Sequence, residues 1–316
     1  MIKALCIDIG ATSAKCALFE DNKTLFRFFV DTTNNKDIVK RIHEKFNKKC
    51  EESNIKADDL SFIGIACAGL VDSTNGIVVL ASNLGWKDYP LLETTKKLFK
   101  SNKVFILNDA KAATYGEWKL GLKGKKSSMA LYCIGTGIGG GAIFDNKLVM
   151  GDSSGLPSEP GHGGGYQNTI KCACGLEGCI DPISSATWIE KQLNLVGSKS
   201  TGKLGELYKL NNNLHIIDIV DLFKEKDKEV ISIFEEAVEP LAKSMSTLIH
   251  FLDFETFVIA GGPSNLGQPL LDIIKNQLKR FTLPNFLNKL DLRTASLTNW
   301  SGTYGVYEYG KDNYKD

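Results

Sequence analysis

The chain has no excess of charge: 38 Lys and Arg stand against 37 Asp and Glu, so its 316 residues carry a formal net charge of +1. That balance argues against a nucleic-acid or membrane-surface partner, which calls for a concentrated basic face. No apolar run reaches the length needed to span a bilayer. A signal peptide is not expected either, because Lys3 precedes too short an apolar stretch and Asp8 interrupts it. The chain therefore reads as cytoplasmic. What is present is an ordinary globular composition, long enough for about two domains with real cores.

Two distant stretches share one plan. Leu5-Cys6-Ile7-Asp8-Ile9-Gly10-Ala11-Thr12-Ser13-Ala14-Lys15 leads through a second apolar strand to Asp21-Asn22-Lys23. Leu131-Tyr132-Cys133-Ile134-Gly135-Thr136-Gly137-Ile138-Gly139-Gly140-Gly141 leads in the same way to Asp145-Asn146-Lys147. Each is a strand, a Gly/Thr turn, a second strand and a hairpin tip. Glycine lets backbone N–H groups approach an anion with no Cβ in the way, and Thr hydroxyls add donors. Two such hairpins suggest a duplicated nucleotide-binding architecture that grips a triphosphate from both sides.

Strands are expected at about 2–9, 15–20, 24–30, 62–67, 76–81 and 103–107, with helices between the later ones. Ile38, Val39, Ile42 and Phe46 mark one face of a helix between Lys36 and Glu52. A long helix from Lys226 to Phe251 places Val230, Phe234, Val238, Leu241, Met245, Leu248 and Leu252 on one side. Residues 195–216 read as a surface excursion. This order indicates an α/β protein in two lobes.

Two motifs mislead. Gly197-Ser198-Lys199-Ser200-Thr201-Gly202-Lys203 resembles a P-loop, but Leu204 stands where a Mg²⁺-binding hydroxyl is needed and no strand precedes it. Gly135-Thr136-Gly137-Ile138-Gly139-Gly140 has dinucleotide spacing, yet a strand and turn follow where a helix is required.

Asn108-Asp109-Ala110 follows the strand ending near Leu107. Asp109 thus lies at a strand's carboxyl end, where open α/β sheets place ligands, and could take a proton from a hydroxyl attacking phosphorus. Asn108 or Asp109 could equally cap the following helix, and spacing alone leaves both readings open. His162 with Cys172, Cys174 and Cys179 offers one imidazole and three thiols. A closed Cys₃His set is a structural zinc pattern. The other reading is three free cysteines in a glycine-rich loop, and the density of the cluster favours zinc.

Asp8-x-Gly10-x-Thr12, Asn83-Leu84-Gly85-Trp86, Asn108-Asp109-Ala110, the glycine-rich run from Gly135, Glu159-x-Gly161-His162, the cysteine loop and Ile259-Ala260-Gly261-Gly262 occur together in order. The set resembles the ROK family of sugar kinases and sugar-responsive repressors, within the actin/hexokinase-like ATPase superfamily, over nearly the whole chain. The resemblance implies an α/β, two-lobed actin-like ATPase (ribonuclease H-like) fold with duplicated α/β domains and an interlobe cleft. Residues 1–111, joined by about 295–316, would form the small lobe, and residues 112–294 the large lobe carrying the zinc loop.

By the same resemblance, Asp109 would be the base that activates the sugar hydroxyl. Gly69, Asn83, Asn108, Glu159 and His162 would line the sugar site, with His162 also a zinc ligand. Asp8, Gly10, Thr12, Gly135, Thr136 and Gly137 would surround the phosphates of ATP and Mg²⁺, and Gly261 and Gly262 would lie by the adenosine. Asp181 stands where the family usually has a Glu that reaches the sugar, and is assigned to the sugar site with one methylene less. Lys111, Ser158, Pro160 and Pro263 also depart from the family pattern.

The expected activity is ATP-dependent phosphorylation of a hexose, with the 6-hydroxyl of glucose as first choice. N-acetylmannosamine, N-acetylglucosamine and fructose are the alternative acceptors. A non-catalytic sugar-sensing regulator is the alternative of another class. Regulators of the family carry a DNA-binding segment before the first phosphate motif, for which the residues ahead of Asp8 leave no room. The family also suggests a homodimer, though no interface is legible.

Overall fold

Both hairpin tips turn through left-handed backbone: φ is 42° and 71° at Asp21 and Asn22, and 48° and 63° at Asp145 and Asn146. Two consecutive positive φ values make the mirror-image turn whose twist suits paired strands, and Asp and Asn tolerate it better than other side chains. The local chemistry of the two tips is therefore the same, as is the sheet that each one opens.

The computed structural model describes every residue except 35, 36, 58, 157, 158, 164, 165, 167–169, 298, 315 and 316, so Lys36 and Ser158 lie outside the described residues. Its strands are β1 (Lys3–Ile9), β2 (Ser13–Glu20), β3 (Lys23–Asp31), β4 (Phe62–Cys67), β5 (Leu70–Asp72), β6 (Ile77–Ala81), β7 (Trp86–Tyr89), β8 (Val104–Asn108), β9 (Met129–Ile134), β10 (Ile138–Phe144), β11 (Lys147–Leu148), β12 (Thr256–Gly261) and β13 (Asp291–Thr294). One sheet runs β3-β2-β1-β4-β8 and another β11-β10-β9-β12-β13. The order is identical: a meander of three strands, then two added beside the first. In the first sheet β4 and β8 extend β1 in parallel. In the second, β12 pairs in parallel with both β9 and β13. Every residue of β4 is buried, as a central parallel strand covered on both faces requires. A small antiparallel sheet, β5-β6-β7, completes the set.

The helix Ile38–Glu52 buries Ile38, Val39, Ile42 and Phe46, the face read from the sequence, and adds Cys50. Helix Lys228–Leu252 is capped by the Asp227 carboxylate, which accepts from Glu229 N–H and Val230 N–H. It buries the expected Val230, Phe234, Val238, Leu241 and Met245, but its last buried position is Ile249, while Leu252 is exposed. A step of four from Met245 keeps the stripe on the core, whereas steps of three and four through Leu248 carry it off. Residues 195–216, read as a surface excursion, include the end of helix Ala186–Gly197 and the helix Lys203–Asn211, which buries Leu204 and Gly205. The P-loop look-alike is the turn between these two helices.

The chain divides into two compact units. One comprises Met1–Ser127, Gly141–Ser158 and Ser296–Asp316; the other comprises Ser128–Gly140 and Glu159–Ala295. In the first, helix Ser301–Asn313 reaches the sheet by a glycine-lined face. A Cβ at Gly310 would lie 2.1 Å from the Phe62 ring, and one at Gly305 would lie 1.7 Å from the Ala112 carbonyl oxygen. Gly305→Ala therefore forces the helices Asp109–Gly116 and Ser301–Asn313 apart. We expect it to destabilise the protein by on the order of 3 kcal/mol, read as a lower denaturant midpoint. No described helix is long and apolar enough to cross a membrane.

Candidate active site and metal centre

In the first unit, β8 delivers Asn108 and Asp109 to the start of helix Asp109–Gly116. Of the two residues that could cap the helix, Asn108 does so. Asn108 is the cap: its Oδ1 accepts from Ala110 N–H at 2.9 Å and Lys111 N–H at 3.2 Å. Its Nδ2 donates to the Gly69 carbonyl at 2.9 Å. The Asn108 side chain also hydrogen-bonds to the neighbouring Asp109 carboxylate. Gly69 holds φ at +106°, and a Cβ there would lie 2.5 Å from the Leu80 carbonyl oxygen, so this carbonyl can be offered only by glycine.

Asp109, the first residue of the helix, accepts from Ala110 N–H at 2.9 Å through Oδ1. Burial raises its carboxyl above the usual range, against the pull of the Ala110 N–H. Asp8, on β1, is pushed up to about 7, first by burial and then by the charge of Asp109, with Lys15 pulling the other way. A Cβ on Gly302 would lie 2.6 Å from Asp8 Cγ, so the first turn of helix Ser301–Asn313 abuts the Asp8 carboxyl. A helix terminus contributes at most about 2 kcal/mol to such a group, too little to outweigh burial and a second carboxylate. A buried carboxylate raised by the charge of a second one suits a divalent cation.

These shifts set a pH expectation. A general base works ionised, so a raised pKa moves the loss of activity on acidification upward. The acid limb of kcat/KM should lie above the ordinary carboxylate range near ~4 and move down as Mg²⁺ is raised, because a cation favours ionised Asp8. A limb near ~4 that ignores Mg²⁺ would contradict this electrostatic picture.

The two Gly/Thr turns are braced alike. Around Gly10, the carbonyls of Gly10 and Thr12 accept from Thr32 Oγ1 at 2.7 Å and Thr32 N–H at 3.1 Å. In the second unit, the Gly135 carbonyl accepts from Ala186 N–H at 2.8 Å, and the Thr136 carbonyl from Thr187 Oγ1 at 3.3 Å. Each turn has carbonyls tied back, by Thr32 in the first and by Ala186 N–H and Thr187 in the second, while Thr12 and Thr136 stay exposed. The donors each turn can present are N–H groups and a Thr hydroxyl. Thr32, Ala186, Thr187 and Gly302 were not singled out from the sequence. Each acts from a distant segment, and no local pattern marks it.

Gly261 closes β12 in register with Ile134, beside the second turn. Its φ is +91° and a Cβ would lie 2.1 Å from the Ile134 carbonyl oxygen, so glycine alone fits. Gly262 begins the 3₁₀ turn that follows, with nothing within 4 Å of a built Cβ. Pro263 is buried in that same turn.

The same unit holds the cysteine cluster. One ligand atom each from His162, Cys172, Cys174 and Cys179 lie within 4.8 Å of one another. Cys172 Sγ is 3.6 Å from His162 Nδ1, and Cys174 Sγ is 3.7 Å from Cys179 Sγ. Zinc bonds of ~2.3 Å to sulfur and ~2.0 Å to nitrogen give tetrahedron edges of ~3.8 Å for S–S and ~3.5 Å for S–N. The spacing fits zinc, and the thiols are far too distant for a disulfide bond. Gly175 and Gly178, at φ 88° and 72°, make the loop tight enough to bring the thiols together. The loop is joined to its surroundings by His162 N–H to the Glu159 carbonyl at 3.1 Å and Asp181 N–H to the Gly161 carbonyl at 3.0 Å.

The first unit thus gathers Asp8, Gly10, Thr12, Gly69, Asn108 and Asp109. The second gathers residues 135–137, Glu159, His162, Asp181, the three cysteines and Gly261 with Gly262. Asn83 is exposed in the 3₁₀ turn Ser82–Leu84 between β6 and β7. Lys111 is almost wholly buried, its Nζ donating to the Gly155 carbonyl. Pro160 packs where a Cβ on Gly140 would come within 2.6 Å of its ring.

Residues 4–312 match the model of the ROK family. A glucokinase of Thermotoga maritima is 28% identical over 313 residues, covering 96% of each chain. An N-acetylmannosamine kinase of Haemophilus influenzae is 24% identical over 314 residues, covering 98% of this chain and 96% of its own. A ROK family glucokinase from Streptomyces griseus, solved with glucose and AMPPNP, superposes with a TM-score of 0.82 at 24% identity, over 98% of this chain and 100% of that one. A ROK family transcriptional regulator, a homolog of the E. coli MLC protein, reaches 0.85 at 21% identity, over 99% of this chain and 78% of the regulator. At these identities the structural likeness shows the fold, that of the actin-like ATPases. With the family pattern matched from residue 4 to residue 312, the chain belongs to the ROK family.

Proposed function

We propose that this ATP-dependent sugar kinase transfers the γ-phosphoryl group of ATP to the 6-hydroxyl of glucose, with Asp109 as the general base. The observation that carries the reading is Asp109 itself: a carboxylate fixed at the first position of a capped helix, at a strand's carboxyl end, and raised by burial. Phosphoryl transfer needs positioning and charge stabilisation more than covalent chemistry. Asp109 takes the proton from the attacking hydroxyl. Asn108 orients Asp109 and lines the sugar site, and Gly69, Asn83, Glu159 and His162 complete the sugar contacts. The turns at Gly10–Thr12 and Gly135–Gly137 offer N–H groups and hydroxyls to the phosphates. Asp8 would hold Mg²⁺, which would supply neutralising charge for the phosphates, and His162 with the three cysteines would hold zinc, which would keep the segment around Glu159 and His162 rigid. The adenosine lies by Gly261 and Gly262. A reducing, cytoplasmic setting suits cysteines that are not joined by disulfides.

Sugar sensing without phosphoryl transfer is a less economical reading. A base at a strand's end and two phosphate-type turns serve transfer and are superfluous to binding alone. Between acceptors, glucose is favoured because glucokinase relatives reach 28–29% identity against 24% for N-acetylmannosamine kinases that cover the chain as fully. Comparing kcat/KM for glucose and N-acetylmannosamine tests the choice, with at least a roughly tenfold preference for glucose expected from pocket contacts. The reverse preference would make the acetylated sugar the substrate.

A further inference from the structure

Asp181 was assigned to the sugar from sequence, yet its carboxylate is already engaged elsewhere. Asp181 Oδ1 accepts the N–H of Ile138, the residue that ends the second Gly/Thr turn. Two glycines clear the space for it. A Cβ on Gly137 would lie 2.6 Å from Oδ1 and 3.1 Å from Oδ2, and one on Gly161 would lie 3.0 Å from Oδ1. The carboxylate therefore fills a notch between the turn and the segment that carries His162. The Asp181 N–H donates to the Gly161 carbonyl at 3.0 Å, fixing the residue from the backbone side as well.

The rest of the turn is held by the same stretch of chain. Ala186 N–H and Thr187 Oγ1 tie back the carbonyls of Gly135 and Thr136, and Asp181 holds the N–H of Ile138. Residues 181–187 thus brace the turn at three backbone points. An acidic side chain behind a phosphate site repels the ligand unless it earns its place by fixing geometry. A buried N–H left without its acceptor would let the turn relax and lose its preorganisation.

We infer that Asp181 is a positioning residue of the nucleotide-phosphate turn, not a ligand of the sugar. The inference rests on the reading of residues 135–137 as a phosphate site. Its consequence for specificity is that the sugar end of the site lacks the carboxylate that a longer side chain at this position would supply.

The test compares Asp181→Ala with Asp181→Asn, which keeps an oxygen acceptor and removes the charge. Amide hydrogen exchange at Ile138 in the ligand-free protein should quicken about tenfold or more in the alanine variant and stay near wild type in the asparagine variant. Titration with Mg²⁺-AMPPNP should show about tenfold weaker binding for alanine and near-complete rescue by asparagine, while glucose titrated alone binds all three proteins within about twofold. Gly137→Ala, which pushes a methyl into the notch from the turn, is the second variant and should give the alanine pattern if Asp181→Ala fails to fold. Unchanged exchange at Ile138, or a loss of glucose affinity with nucleotide affinity intact, would overturn the inference. A wild-type protein that binds no AMPPNP would instead overturn the phosphate reading, and the exchange comparison would still decide the role of Asp181.

Discussion

Asp109→Asn lowers kcat by ~10²–10⁴-fold, the usual worth of a general base, and leaves sugar affinity within about twofold of the wild type. The substitution is nearly isosteric, and an amide oxygen can still accept the Ala110 N–H that Asp109 Oδ1 holds at 2.9 Å. The cap provided by Asn108 is untouched, so the helix Asp109–Gly116 keeps its start. What disappears is the ability to take a proton. Because the charge of Asp109 also raises Asp8, the variant should lower the Asp8 pKa from about 7 and weaken the Mg²⁺ dependence of the remaining acid limb. Steady-state kinetics with sugar binding measured separately distinguishes the two effects. Activity near wild type would remove Asp109 from the base role.

Cys179→Ser should reduce zinc from about one per chain to none and lower sugar phosphorylation by ~10–100-fold or more, the range expected when the support of a contacting residue is lost. Cys179 is fully buried, and its sulfur lies 3.7 Å from that of Cys174, so serine leaves three ligands and a shorter, harder donor. The loop from Cys172 to Cys179 has little apolar core to hold it without the ion. Its neighbours Glu159, His162 and Asp181 would lose their anchor together. Cys50→Ser is the control: Cys50 packs in the core of the first unit and should leave the metal content unchanged. Metal analysis by inductively coupled plasma mass spectrometry, on protein purified without chelator, reads both. Zinc retained in the Cys179 variant at the wild-type level would place the ion elsewhere.

Much of the fold is legible because short-range chemistry determines it. The Asp-Asn tips, the period-two strands and the amphipathic face of Ile38–Glu52 are each set within about a dozen residues. The repeated hairpin already implies the repeated sheet order. Helix Lys203–Asn211 is missed because its polar composition gives little periodicity, and tertiary packing of Leu204 and Gly205 decides the matter. The candidate site shows the same contrast. Asp8, Asp109 and the four zinc-type ligands stand out by residue type and spacing. Thr32 and Thr187, which brace the two turns, sit 20 and 51 residues beyond the residues they hold, and nothing in their own neighbourhoods marks them. Gly302 and Gly305 reveal their purpose only when the last helix is seen against Asp8 and Ala112. Asp181 is visible as a departure from the family, but the direction of its carboxylate is a three-dimensional fact.

The most direct measurement of the central claim is ADP release from Mg²⁺-ATP by the wild-type protein, with and without glucose, mannose, fructose, N-acetylglucosamine or N-acetylmannosamine. The account predicts negligible release without sugar and strong release with one of them, glucose first. Release that is independent of sugar, or silence across the panel from folded, zinc-loaded protein, would contradict it.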